Sequence, residues 1–191
     1  MKASKQAAVF LDRDGTINVD KGYFYRPEEF EFEKGSVEAI RLLNEAGYRV
    51  FVISNQAGIA LGHFNEKQVE ELHTWLAAEL EQYGARIDGF YYCPHHAKQG
   101  IGQYKTVCEC RKPAPGLLLK AAEAWGVDLA RSYMVGDHNS DVEAGRAAGV
   151  QSIFVRTGHG YEEEAWVAGH VPKADNLYEA VVKYILPGVK E

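Results

Sequence analysis

Ala7–Thr16, AAVFLDRDGT, sets a run of apolar residues against two aspartates, a glycine and a threonine. A short apolar run bounded by turn residues predicts a buried strand. Asp12 and Asp14 then stand where that strand ends. Outward from it the same alternation recurs. Val37, Ile40, Leu43 and Ala46 keep helical spacing up to Gly47, and Val50–Ile53 reads as a second strand. Asn65 with Gln68 resembles a capping box opening a helix whose apolar face carries Val69, Leu72, Leu76, Leu80 and Tyr83. Phe90–Tyr92, Tyr133–Val135 and Ser152–Val155 are further strands. Helices are predicted over Pro115–Trp125, Ser140–Ala148 and about Leu177 to Ile185. Buried strands separated by amphipathic helices predict an α/β, Rossmann-like domain with a mainly parallel sheet and helices on both faces.

The 191 residues suit one domain over residues 1–191, burying roughly 70% of the surface of the unfolded chain. No composition break, linker or repeat divides it, and the insertions leave no room for a large cap domain. No apolar run reaches the length that crosses a bilayer. The polar start, Met1–Gln6, lacks the apolar stretch of a signal peptide, so a cytoplasmic protein is expected. A net charge of −6 disfavours nucleic acid and anionic membranes as partners. A monomer is expected.

In such sheets ligands bind beyond the carboxyl ends of the strands. Asp12-Arg13-Asp14 follows the first strand and Ser54-Asn55-Gln56 the second. Arg111-Lys112-Pro113 follows the third strand and its loop, and Gly136-Asp137-His138 follows the fourth. Two carboxylates two residues apart can divide phosphoryl transfer, one attacking phosphorus and one exchanging protons. Each carboxylate–phosphate charge pair costs ~4 kcal/mol at 4 Å with an effective dielectric near 20. A divalent cation on Asp12 and Asp137 removes that repulsion, and oxygen ligands favour Mg²⁺. Ser54 and Lys112 are placed to hold the remaining phosphate oxygens. Asp141 reads only as a favourable first-turn residue of the next helix.

These four segments, in this order, resemble the haloacid dehalogenase-like phosphohydrolase superfamily over essentially the whole chain. The resemblance implies Asp12 as nucleophile through an aspartyl-phosphate and Asp14 as general acid/base. It also implies Mg²⁺ on Asp12, the Asp14 backbone carbonyl and Asp137, with Ser54 and Lys112 stabilising the phosphoryl group.

All three cysteines fall between Cys93 and Cys110. Cys93-Pro94-His95 and Cys108-Glu109-Cys110 supply three sulfurs and one imidazole, the donor set of a closed tetrahedral Zn²⁺ site in a loop over about residues 93–110. His96 is the rival of His95, which the mirrored Cys-x-His and Cys-x-Cys pairs favour. Zinc there would fix where Arg111 and Lys112 point.

Specificity is left to the loops. Asn18–Tyr23 offers hydrogen-bonding groups to a polyhydroxyl substrate, Gly22 permits close backbone approach, and Tyr23 can pack on a sugar ring. Phe24, Tyr25, Phe30 and Phe32 read as a packed surface hairpin. Arg111 suits a second phosphate, which its planar fork grips in two places. Within the superfamily, Asp12–Tyr23, Ser54–Ile59, Tyr91–His96 and Cys108–Pro113 resemble the heptose bisphosphate phosphatase branch. That likeness implies a small phosphorylated sugar as substrate, loss of its 7-phosphate, and contacts from Asp20, Lys21, Gly22, Tyr23, Asn55, Gln56, Ala57 and Arg111. One departure is His138, where that branch often has lysine; a phosphate or sugar contact from it is therefore in question. The histidinol-phosphate phosphatase branch shares the aspartates, a similar cysteine loop and Arg-Lys-Pro, but Asn18–Tyr23 and the long loop favour the sugar. A zinc-stabilised binding module without turnover is the non-enzymatic alternative, against which the intact Asp12/Asp14 pair argues. The acidic balance disfavours a DNA-end phosphatase.

Overall fold

A six-stranded sheet in the order β3-β2-β1-β4-β5-β6 forms the centre of the molecule, and every neighbouring pair is parallel. The computed structural model describes residues 5–188; residues 1–4 of the polar start lie outside them. The strands are β1 (Ala8–Leu11), β2 (Arg49–Asn55), β3 (Gly89–Cys93), β4 (Tyr133–Gly136), β5 (Gln151–Val155) and β6 (Lys173–Ala174). The expected α/β class therefore holds, with a sheet that is wholly parallel rather than mainly so.

Successive strand residues face opposite sides, and β1 shows what that does here. Val9 and Leu11 pack with α1 (Ser36–Glu45), α3 (Glu66–Gln82) and α7 (Leu177–Ala180) on one face. Ala8 and Phe10 pack with α4 (Gly116–Trp125) and α5 (Asn139–Ala148) on the other. All four β1 residues are fully buried, so the strand reads as an unbroken apolar run. The capping box at Asn65 is present in both directions: Gln68 N–H donates to Asn65 Oδ1 at 3.0 Å, and Asn65 N–H donates to Gln68 Oε1 at 2.9 Å.

Two insertions flank the carboxyl ends of the strands. Between β1 and α1, Phe30 packs edge-on with Phe32 and with Trp75 of α3, and Phe24 is buried, so most of the expected aromatic hairpin is packing. Between β3 and α4 lies the cysteine loop. A short helix α2 (Ala57–Leu61) follows β2, and another, α6 (Gly160–Glu163), follows β5. The last helix continues past α7 as a wider π turn over Val181–Ile185. Among the described residues no helix is long and apolar enough to cross a membrane.

Candidate active site and metal centres

Asp12 leaves β1 with its N–H donated to the Val135 carbonyl of β4 at 2.9 Å, which fixes it at the centre of the sheet edge. Lys112 arrives from the far side of the cysteine loop. Its Nζ donates to Asp12 Oδ1 at 2.7 Å and to the Ile53 carbonyl at 2.8 Å, and it lies 2.6 Å from Asp141 Oδ1. Asn55 clamps the lysine's backbone, donating to the Lys112 carbonyl at 3.1 Å and accepting from its N–H at 3.0 Å. The Asn55 side chain is thus spent on holding Lys112.

Asp12, Asp137 and Asp141 bring carboxylate oxygens within 4.8 Å of one another, all buried. Burial raises the Asp12 carboxyl to about 6 against the pull of Lys112, with Asp141 and Asp14 adding to the rise. Burial and then Asp12 raise Asp137 well above the usual carboxylate range. Burial works against the Lys112 ammonium, yet Asp12 and Asp141 outweigh it and hold its affinity for a proton above the ordinary. Three buried carboxylates around one ammonium carry excess negative charge, and Asp137 Oδ1 has no hydrogen-bond partner. That orphaned oxygen in an all-oxygen donor set fits a divalent cation. Glycine is required beside it: a Cβ on Gly15 or Gly158, both at positive φ, would overlap the Asp137 carboxylate.

The Asp14 carboxylate turns the other way, toward Arg13. Arg13 Nη2 donates to Asp14 Oδ2 at 2.9 Å, Asn18 Nδ2 to Oδ1 at 3.0 Å and Gln56 Nε2 to Oδ2 at 2.9 Å. Burial opposes ionisation there, but Arg13 and these donors win and hold Asp14 below the ordinary carboxylate range. Gln56 Nε2 also donates to Ser54 Oγ at 2.7 Å, tying the expected phosphate-binding hydroxyl to the expected proton carrier.

A cleft of about 510 Å³ opens over these groups. Asp20, Gly22, Tyr23, Ala57, Arg111 and His138 join Asp12, Asp14, Ser54, Asn55, Gln56 and Lys112 in lining it. Lys21 does not: its Nζ pairs with Glu31 at 2.9 Å and donates to the Glu29 carbonyl. Gly22 at φ +78 closes a turn in which its N–H donates to Asp20 Oδ1 at 2.8 Å. The Tyr23 ring stacks on His63 at 4.3 Å. Burial pulls His138 down, but Asp137 and the hydrogen bond to Glu163, 2.7 Å away, push it up to about 9. Its carboxylate neighbours thus favour the protonated ring, the form that would match the charge of lysine at this position.

The cysteine loop gathers as its spacing predicts. Cys110 Sγ lies 3.1 Å from Cys93 Sγ and 3.3 Å from Cys108 Sγ, and His95 Nδ1 lies 3.3 Å from Cys110 Sγ. Tetrahedral zinc with bonds of about 2.3 Å separates its sulfurs by about 3.7 Å, so the set needs only slight expansion to accept one ion. His96 is used otherwise, its Nδ1 accepting from the Lys98 and Gln99 N–H groups. Arg111 Nη1 donates to the His95 carbonyl at 3.1 Å.

Three residues of the site were not foreseen. Asp141 sits one helical turn beyond Asp137, so α5 returns its carboxylate to the same side. His159, four residues past the end of β5, lines the cleft and lies 3.2 Å from Asp20 Oδ2. Reading the end of the fifth strand as the other four were read would have found it. Arg13, fully buried against Asp14, has no such signal.

The HAD-hydrolase-like family model matches residues 109–180. Among curated proteins, the D-glycero-beta-D-manno-heptose-1,7-bisphosphate 7-phosphatase of Vibrio cholerae is 48% identical over 158 residues, 82% of this chain and 85% of that protein. The protein of the same name from Escherichia coli is 46% identical over 164 residues, 85% of this chain and 86% of the relative. Among solved structures, the D,D-heptose 1,7-bisphosphate phosphatase from B. bronchiseptica, complexed with magnesium and phosphate, superposes with a TM-score of 0.83 at 33% identity. It covers 95% of this chain and 98% of that one.

Proposed function

We propose, from the premise that this chain belongs to the D-glycero-beta-D-manno-heptose-1,7-bisphosphate 7-phosphatase family of HAD-like hydrolases, that it removes the 7-phosphate of heptose 1,7-bisphosphate. The names of its relatives favour the β anomer. The reading places the reaction in the synthesis of nucleotide-activated heptose for lipopolysaccharide core or related surface glycans, carried out by a cytoplasmic monomer.

The observation that carries the chemistry is the convergence of Asp12, Lys112, Ser54 and Asp14 on one cleft. An oxygen of Asp12 attacks phosphorus while Lys112 and Ser54 hold the phosphoryl oxygens. The bond to O7 breaks, and Asp14 delivers its proton to that oxygen. The free enzyme holds Asp14 ionised; an incoming phosphate dianion raises its proton affinity and readies it as an acid. Water then attacks phosphorus, Asp14 takes the proton, and the bond to Asp12 breaks to release phosphate. Asp12, the Asp14 carbonyl and Asp137 would hold Mg²⁺, which would supply positive charge against the phosphoryl oxygens and the buried carboxylates. Cys93, His95, Cys108 and Cys110 would hold a structural Zn²⁺, which would close the loop that leads to Arg111. Arg111 takes the distal phosphate, with Asp20, Gly22, Tyr23, Gln56 and Ala57 against the sugar. Here Asn55 serves by holding Lys112.

Phosphate release from heptose 1,7-bisphosphate with Mg²⁺ present tests this directly. Turnover by the wild type and none by Asp12→Asn is expected. Full activity in Asp12→Asn would refute the nucleophile, and wild-type inactivity on every phosphate ester would leave a binding module.

A further inference from the structure

Arg13 is 1% exposed, and its guanidinium is used on both sides. Nε and Nη2 face Asp14, at 3.1 and 3.0 Å from Oδ1 and 2.9 Å from Oδ2. Nη1 lies 3.2 Å from Nε2 of His73, a residue of α3 that is itself only 5% exposed and does not line the cleft. An arginine can only donate, so His73 Nε2 accepts and the ring proton sits on Nδ1. The imidazole is held from behind, stacked on Phe90 at 4.7 Å and edge-on to Tyr92 at 5.9 Å. Phe24 covers the guanidinium from another side at 5.5 Å. A buried histidine packed against aromatic rings explains itself as core; one whose acceptor nitrogen meets the third nitrogen of a buried arginine does not.

We propose that His73 is a positioning residue for the reaction, acting through Arg13 to fix the carboxylate of Asp14. It rests on the proton-transfer role assigned to Asp14 above. Without the acceptor, Arg13 Nη1 becomes a buried donor with no partner. The guanidinium then shifts to find one, and the Asp14 carboxylate moves with it. A proton carrier must be held within about half an ångström of its productive place, so the cost falls on turnover rather than on binding.

His73→Gln and His73→Asn separate this from packing. Glutamine carries its amide oxygen to where Nε2 sits; asparagine carries it one bond short. Both are assayed with the wild type on heptose 1,7-bisphosphate, and on p-nitrophenyl phosphate by the pre-steady-state burst of p-nitrophenolate, a leaving group that departs without a proton. For His73→Asn we expect kcat on the sugar ester to fall ~10-fold or more, with KM within about twofold and the aryl burst within about threefold. His73→Gln stays within about threefold of wild type on both substrates. The proposal is overturned if His73→Asn keeps its kcat, if both variants lose it alike, or if the aryl burst falls in proportion. A wild type without turnover of the sugar ester would overturn the proposed function itself, and this inference with it.

Discussion

Lys112 meets Asp12 and Asp141 at once, 2.7 and 2.6 Å from its Nζ, with all three side chains buried. Removing one partner of a buried pair costs several kcal/mol when the remaining charge has no other; here Asp12 remains. Asp141→Asn should therefore lower Tm measurably but not prevent folding. It should also lower kcat ~10-fold or more, because Lys112, Asp12 and Asp137 lose a shared neighbour. Unchanged Tm and kcat would contradict this. His73 makes a second prediction. Burial, then the Arg13 guanidinium, lower its proton affinity from 6.5 to about 3, against a smaller opposite pull from Asp14. The unfolded chain takes up a proton near pH 6.5 that the native ring refuses. The stability tied to His73 is therefore whole above that pH and lost as pH falls toward 3, by about 2 kcal/mol at pH 5. Urea unfolding at pH 7.5 and pH 5 should show this loss in the wild type and less of it in His73→Gln; equal slopes would contradict it. Asp141 was legible in principle, one helical turn past Asp137. The contact between Arg13 and His73 was not, since 60 residues separate them and only the seating of α3 beside the loop after β1 joins them.

The cysteine loop shows how an element carries a site. It leaves β3 at Cys93, returns to the sheet at Cys110, and hands the chain directly to Arg111 and Lys112. Arg111 is tied to the backbone of His95, so a metal closing the loop would also aim the guanidinium. Cys110→Ala should lower Tm and raise KM for the bisphosphate while removing no group that touches the reacting phosphoryl. An unchanged melting temperature and kcat/KM would sink the idea. That Cys93, His95, Cys108 and Cys110 come together was legible from sequence, because soft donors at short spacing have few other uses. The end of β2 was less so. Ser54 and Asn55 read as residues after the strand, yet they pair with Tyr92 and Cys93 and lie within it. The backbone ladder to β3 overrides their polar side chains. Two-residue β6 offers no periodicity to read.

At the scale of the whole molecule, the two-sided core is set by strands like β1, whose alternate residues serve opposite faces. Phe10→Ala should cost about 3–5 kcal/mol by leaving a cavity between the sheet and α4. Chemical denaturation measures that loss, and a cost under about 1 kcal/mol would contradict the packing described. Fold class and the strand-end chemistry were legible because both follow from periodicity and from what stands where a strand stops. Lys21 fell outside because a local ion pair with Glu31 turns it from the cleft, which no spacing rule reports. The net charge of −6 does not describe the cleft, where Arg111 and Lys112 stand among Asp12, Asp14 and Asp20. Two separate cations, Arg111 and Lys112, with hydrogen-bonding groups from the β1–α1 loop, suit a sugar carrying two phosphates better than a cationic amino alcohol ester. The decisive measurement is kcat/KM for phosphate release from β-heptose 1,7-bisphosphate beside histidinol phosphate under the same Mg²⁺. A higher value for the heptose, with the anomeric phosphate retained in the product, is predicted. A higher value for histidinol phosphate, or loss of the anomeric phosphate, would contradict the account.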